Sequence, residues 1–326
     1  LNETFSLGSA SSRLRNCFGV MSELLIRPRR ATNDPRFIYR LSAAVITSTE
    51  VRMGWVTPFT RRDSVPAGLY TKVLGSGTET LVFIPGLGGT TRYWESRVQS
   101  LGDRYRMVLI DLLGFGESPK PWTQYTVDRQ LLELEAALKT YGEITLIGHS
   151  LGALLAIAFA ARFPGSVRKV VLIGMPYFGS QRKAYRYMRH GPIKGGFLFT
   201  NVVLTMIACI LTRRVFGRLL PYILRHVPRE VAEDLVKHTW RSSTSSLWEV
   251  VYRYDAAVDL RHLPEEIGVL CIHGERDLMA PVEAIQDLLG QHQRWRLHVL
   301  PGVDHHPILR EPAECRDLIT MDLKNR

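Results

Sequence analysis

The sequence predicts an α/β protein: a mostly parallel sheet wrapped by helices and interrupted once by a helical insertion. Two observations lead there. Short aliphatic runs recur along the chain with helix-patterned stretches between them, and over residues 177–257 that recurrence stops, leaving helical patterning without a strand run.

The strand signals begin near residue 46. "GLYTKVL" precedes a "GSGT" turn, and "TLVFIPG", "MVLID", "ITLIG", "KVVLIG", "GVLCIHG" and "RLHVLPG" follow in order. Runs that are apolar at nearly every position suit strands buried on both faces. Between the third and fourth runs, "VDRQLLELEAALKTYG" has leucines at helical spacing and Gly142 as a stop after Tyr141. Strands alternating with such helices imply a parallel sheet covered by helices. Residues 46–176 and 258–326 are therefore assigned to this core and residues 177–257 to a helical cap. Residues 1–45, with "RLRNCFGV" and "RPRRATNDPRF", have no sustained period and read as a basic N-terminal arm.

Composition bounds the function. A chain of 326 residues, 45% hydrophobic and 22% charged, can bury a sizeable core and fits a globular enzyme. Its four cysteines are far apart, with neither a C-x-x-C pair nor metal-ligand spacing, so free thiols are expected. No charged start followed by an apolar run of signal-peptide length is present, and the expected location is cytoplasmic. The net charge of +11 is uneven: residues 1–40 hold seven Arg against three acids, and residues 177–260 hold thirteen Lys/Arg against six. These excesses of +4 and +7 make up the whole imbalance. Without a basic groove, stacking aromatics or a nucleic-acid motif, the charge does not indicate a nucleic-acid partner. Surface arginines that aid solubility, or contact with anionic lipid or an acidic partner, remain open.

The chemistry concentrates at "GHSLG". Ser150 follows a buried-strand run and precedes an apolar helix, flanked by Gly148 and Gly152. A sharp strand-to-helix turn forces its middle residue into a strained backbone and tolerates only small neighbours, so the stretch reads as a nucleophile elbow. Taken alone, a serine there also reads as an N-cap. A serine hydroxyl needs a base to take its proton and an acid to orient that base, in chain order Ser, acid, His. Downstream, Asp277 in "CIHGERDLMAP" and His305 in "HVLPGVDHHPILREP" each lie just past a strand run, at the sheet edge that carries Ser150. Glu275 is a rival acid and His306 a rival base.

With "PGLGG", "DLLGFGES", "GHSLG", "HGERDLMAP" and "PGVDHHPILREP" in this order, residues 65–326 resemble the α/β-hydrolase superfamily, in particular its serine esterases and lipases with a helical cap. The resemblance implies an α/β-hydrolase fold, with Ser150 as nucleophile, Asp277 as acid and His305 as base. His305 takes the histidine position of the family's P-G-x-G-H pattern, and Asp304 replaces that pattern's second glycine. The backbone N–H groups of Leu87 and Leu151 are implied as the oxyanion hole, with Gly86 and His149 completing the loop and elbow. The family commonly has His-Gly where this chain has Pro85-Gly86. Asp111 and "GFGES" read as structural, and a serine at the elbow argues against dehalogenase or epoxide chemistry.

Within the cap, Phe197 to Leu211 carries no charge and then meets "TRRVFGRLLPYILRH". The run is short of a membrane span. It reads as a core helix of the cap, as a roof over an acyl chain, or as a patch touching a bilayer with Arg213, Arg214 and Arg218 at the headgroups. The expected activity is hydrolysis of small-molecule carboxylic esters with apolar acyl or aromatic groups, with no metal or organic cofactor. Lactones such as acyl-homoserine lactones, or carbon–carbon bonds of vinylogous diketones, suit the same residues. A ligand receptor without turnover and a membrane-surface interaction protein are alternatives of another class.

Overall fold

The structure, a computed structural model, describes residues 65–193, 195–290 and 295–324. The basic arm and the first part of the core, residues 46–64, lie outside the described residues. All seven aliphatic runs form strands: β1 (Thr71–Leu74), β2 (Thr80–Ile84), β3 (Arg106–Ile110), β4 (Ile144–His149), β5 (Val167–Ile173), β6 (Gly268–Gly274) and β7 (Arg296–Leu300). They make one sheet in the order β1-β3-β2-β4-β5-β6-β7. Only β1 runs antiparallel, against β3, and every other pair is parallel.

Helices α1 (Thr91–Val98), α2 (Val127–Leu138) and α3 (Leu151–Arg162) belong to the first half of the sheet. Thr90 and Thr126 cap the first two, each hydroxyl accepting a backbone N–H of the first turn. After β5 come α4 (Gln181–His190), α5 (Val202–Leu211), α6 (Leu220–Ile223), α7 (Arg229–Asp234), α8 (Trp240–Ser246) and α9 (Ala256–Arg261). The described residues between β5 and β6 contribute no strand to the sheet. The chain closes with α10 (Val282–Leu289), α11 (Pro307–Arg310) and α12 (Pro312–Lys324).

Pleating splits each inner strand between two cores. Val82 and Ile84 of β2 pack with α2, α3, α9 and α10, whereas Leu81 and Phe83 pack with α1 and α12. β2 is buried at every residue, as the unbroken apolar run requires. β1 and β7 are half-exposed because each sits at an edge, so burial on both faces does not extend to them. α3 lies behind the middle of the sheet and is buried from Leu151 through Ala160; its alanines and Gly152 let it approach closely.

The apolar run departs from the core reading. Among the residues of α5 only Thr205 is buried, whereas Val202, Val203, Leu204, Ile207, Ile210 and Leu211 are exposed. Among the described residues, no helix is long and apolar enough to cross a membrane.

Candidate active site

β4 ends in the elbow. Ser150 has φ +53° and ψ −119°, the one positive φ among the described non-glycine residues. Its neighbours must be small: a Cβ on Gly148 would collide with the carbonyl of Gly152, and one on Gly152 with the carbonyl of Ile84. The Ser150 N–H donates to Ile173 O on β5 at 2.9 Å, fixing the turn to the sheet.

Asp277 and His305 come from the carboxyl ends of β6 and β7, and their loops are stitched together. Glu275 N–H donates to Leu300 O at 3.0 Å and Arg276 N–H to Val303 O at 2.8 Å. Asp277, whose side chain is fully buried, accepts Met279 and Ala280 N–H on Oδ1, at 2.8 and 2.9 Å. Its Oδ2 accepts His305 Nδ1–H at 2.7 Å. The other ring nitrogen, Nε2, lies 2.9 Å from Ser150 Oγ and accepts its hydroxyl proton. Carboxylate, imidazole and hydroxyl thus form one hydrogen-bonded series, an arrangement able to activate a serine as nucleophile.

The rivals hydrogen-bond elsewhere. Glu275 is exposed and accepts Gly302 N–H at 2.7 Å. His306 stands beside the series but hydrogen-bonds to another partner, with Nδ1 3.3 Å from Tyr93 Oη, and burial with His305 beside it pushes its pKa down to about 4. Asp304 needs no positive φ; it accepts His306 N–H at 3.0 Å and pairs with Arg310 at 2.6 Å, so the second glycine of the resembled pattern is dispensable here. Asp111 is buried and accepts the N–H groups of Thr91 and Glu117 at 2.6 and 2.7 Å, holding two loops; burial raises its pKa.

His149 braces the backbone of His305. Buried and stacked on Tyr93 at 4.8 Å, it donates from Nε2 to His305 O at 2.8 Å. Burial, with His305 and His306 alongside, keeps its pKa well below the usual imidazole value, so it stays neutral. Gly86 brings its backbone against the elbow: a Cβ there would come within 3.1 Å of Ser150 Cβ. The turn closes with Gly89 N–H donating to Gly86 O at 3.0 Å, and Leu87 lines the cavity over the serine. Leu151 opens α3, so its N–H has no intrahelical acceptor.

The cavity holds about 360 Å³. Ser150, His149, His305 and His306 form its floor, and its walls are apolar, with Met188, Phe199, Val231, Leu247 and Val251 from the segment between β5 and β6. Neither Leu204 nor Met206 lines it, so α5 is not its roof. Sequence patterning did not single out these wall residues, nor Tyr93 or Asp234. Asp234, buried on α7, accepts Thr90 Oγ–H at 2.6 Å and pairs with Arg92 at 2.8 Å and Lys237 at 3.1 Å. With Arg97–Glu230 at 2.8 Å, these contacts tie α7 to α1.

The Alpha/beta hydrolase family matches residues 81–318. The Arabidopsis thaliana protein named "Probable lysophospholipase BODYGUARD 1" is 27% identical over 279 residues, covering 74% of this chain and 58% of that protein. The chain spans 58% to 63% of the length of three such plant relatives. Among solved structures, an esterase from Exiguobacterium antarcticum aligns with a TM-score of 0.64 at 21% identity, covering 79% of this chain and 96% of its own. A bromoperoxidase from Bacillus anthracis aligns with a TM-score of 0.62, also at 21% identity, over 79% and 95%. Two neighbours so differently named share the fold, a mostly parallel sheet flanked by helices, and the activity has to be argued from the site.

Proposed function

We propose that this chain, which belongs to the alpha/beta hydrolase family, is a serine hydrolase of carboxylic esters with an apolar acyl chain. The observation that carries the reading is the hydrogen-bonded series Asp277–His305–Ser150 opening into an apolar cavity. Ser150 Oγ attacks the ester carbonyl while its proton passes to His305 Nε2. Asp277 stabilises the imidazolium that results and holds Nδ1 as the donor. Negative charge on the tetrahedral oxygen is met by the N–H groups of Leu87 and Leu151. Collapse expels the alcohol, which takes the proton from His305 and leaves an acyl-enzyme. Water, deprotonated by His305, then attacks the acyl carbon; the acid leaves and Ser150 regains its proton.

The apolar walls favour an acyl chain as the part of the ester held in the cavity, because such a cavity binds chiefly by removing apolar surface from water. The names of the plant relatives support a lysophospholipid-like monoacyl ester as the substrate class. Residues 177–257 act in this reading as a cap that supplies the walls. The test is a hydrolysis screen over acyl length, including monoacyl glycerophospholipids, lactones and vinylogous diketones, with Ser150→Ala as the blank. Rates that rise with acyl length and vanish in the blank support the reading. Cleavage of lactones or diketones alone replaces the substrate class.

A further inference from the structure

Twelve large hydrophobic residues between Phe197 and Ile223 are exposed, out of twenty in all the described residues. α5 is inside-out: it buries Thr205, whose hydroxyl donates to Leu198 O at 2.8 Å and lies 3.0 Å from Asn201 O, while Val203, Ile207, Ile210 and Leu211 share its outer face. The helix continues through a π turn, Thr212–Phe216, and Val215, Phe216 and Leu219 extend the apolar surface. Contiguous exposed patches of this kind mark interaction sites.

Charge selects the partner. Residues 191–228 contain no Asp or Glu, and Arg213, Arg214, Arg218 and Arg225 are exposed beside the patch. Among the described residues none of the four pairs with an acid. An apolar helical face edged by arginines, too short to span a bilayer, is the pattern of an element that lies in the interface of an anionic membrane. The segment also meets the cavity: Phe199 near its start and Val227 just past its end line the wall.

We propose that residues 197–223 dock this protein reversibly on anionic lipid bilayers, with α5 and the following turn inserted among the headgroups. Resting on the hydrolase reading, the further consequence is that membrane-borne esters reach Ser150 beside the docked segment.

The experiment is co-sedimentation of the full chain with phosphatidylcholine vesicles, with and without phosphatidylserine, at low and high salt. Wild type and Ser150→Ala are expected to sediment alike with the anionic vesicles and to be released by salt. Ile207→Glu/Ile210→Glu and Arg214→Glu/Arg218→Glu are expected to bind more weakly by roughly tenfold or more, while hydrolysing a soluble short-chain ester at the wild-type rate, which reports an intact fold. Wild type that stays in the supernatant under every condition overturns docking. So does binding that both double variants retain, or a salt-resistant dimer that Ile207→Glu/Ile210→Glu dissolves without any vesicle binding. Vesicle binding without ester hydrolysis overturns the hydrolase reading alone.

Discussion

His305 and His306 are adjacent, yet only His305 bridges Ser150 Oγ and Asp277. His305→Ala is therefore expected to lower kcat on a soluble ester by about 10⁴-fold, whereas His306→Ala keeps most of the activity. Steady-state kinetics of the two variants check this, and the reverse pattern moves the base by one position. His306 also carries a pH signature. Its folded pKa of about 4 lies below the usual imidazole value, so between the two values the unfolded chain binds the extra proton. The folded state is unaffected by this group above about pH 6.5 and loses about 2 kcal/mol by pH 5. Urea titrations at pH 7 and pH 5 should show a loss to which His149, His238 and His273, also held below the usual imidazole value by burial, contribute in the same direction, and His306→Gln should shrink it by His306's share. Which of two neighbouring histidines faces the serine depends on loop geometry; the order Ser, acid, His was legible, and so was the offset from Gly302, but the support His149 gives through the carbonyl of His305 was not.

Elements carry the geometry. The turn between β4 and α3 allows no Cβ at Gly148, so Gly148→Ala is expected to destabilise the fold by about 1–3 kcal/mol, read as a lowered Tm. α7 is held to α1 through Asp234, and the loop that contains Leu87 leads directly into Thr90. Asp234→Ala strands the Thr90 hydroxyl but leaves Arg92 and Lys237 with access to water, so its cost is expected to be about 1–3 kcal/mol. A fall in kcat at a temperature where the variant is still fully folded would indicate that the tie also positions the loop that contains Leu87. The seven strands were legible because buried parallel strands are written as unbroken aliphatic runs. Helical periodicity tells that a helix has an apolar face but not what that face meets. The inner side of α5 meets α8, where Cys209 Sγ lies 3.5 Å from Ser243 Oγ, but its outer residues stay exposed and none of its residues lines the cavity, so the core and roof readings fail.

At the scale of the whole molecule, the series Asp277–His305–Ser150 sits at the carboxyl ends of the strands, and the segment between β5 and β6 supplies apolar walls of the cavity above it. Val251→Trp is expected to shorten the preferred acyl chain, each methylene excluded costing about 0.8 kcal/mol of burial, whereas Leu204→Trp leaves chain preference unchanged. A rate profile against acyl length separates the two. The central claim, that Ser150 is the nucleophile, is met most directly by treating the full chain with a fluorophosphonate and mapping the modified peptide by mass spectrometry. One adduct on Ser150, with hydrolysis lost in proportion to labelling, is the expected result; an adduct on another residue, or full labelling of Ser150 with activity intact, would contradict it.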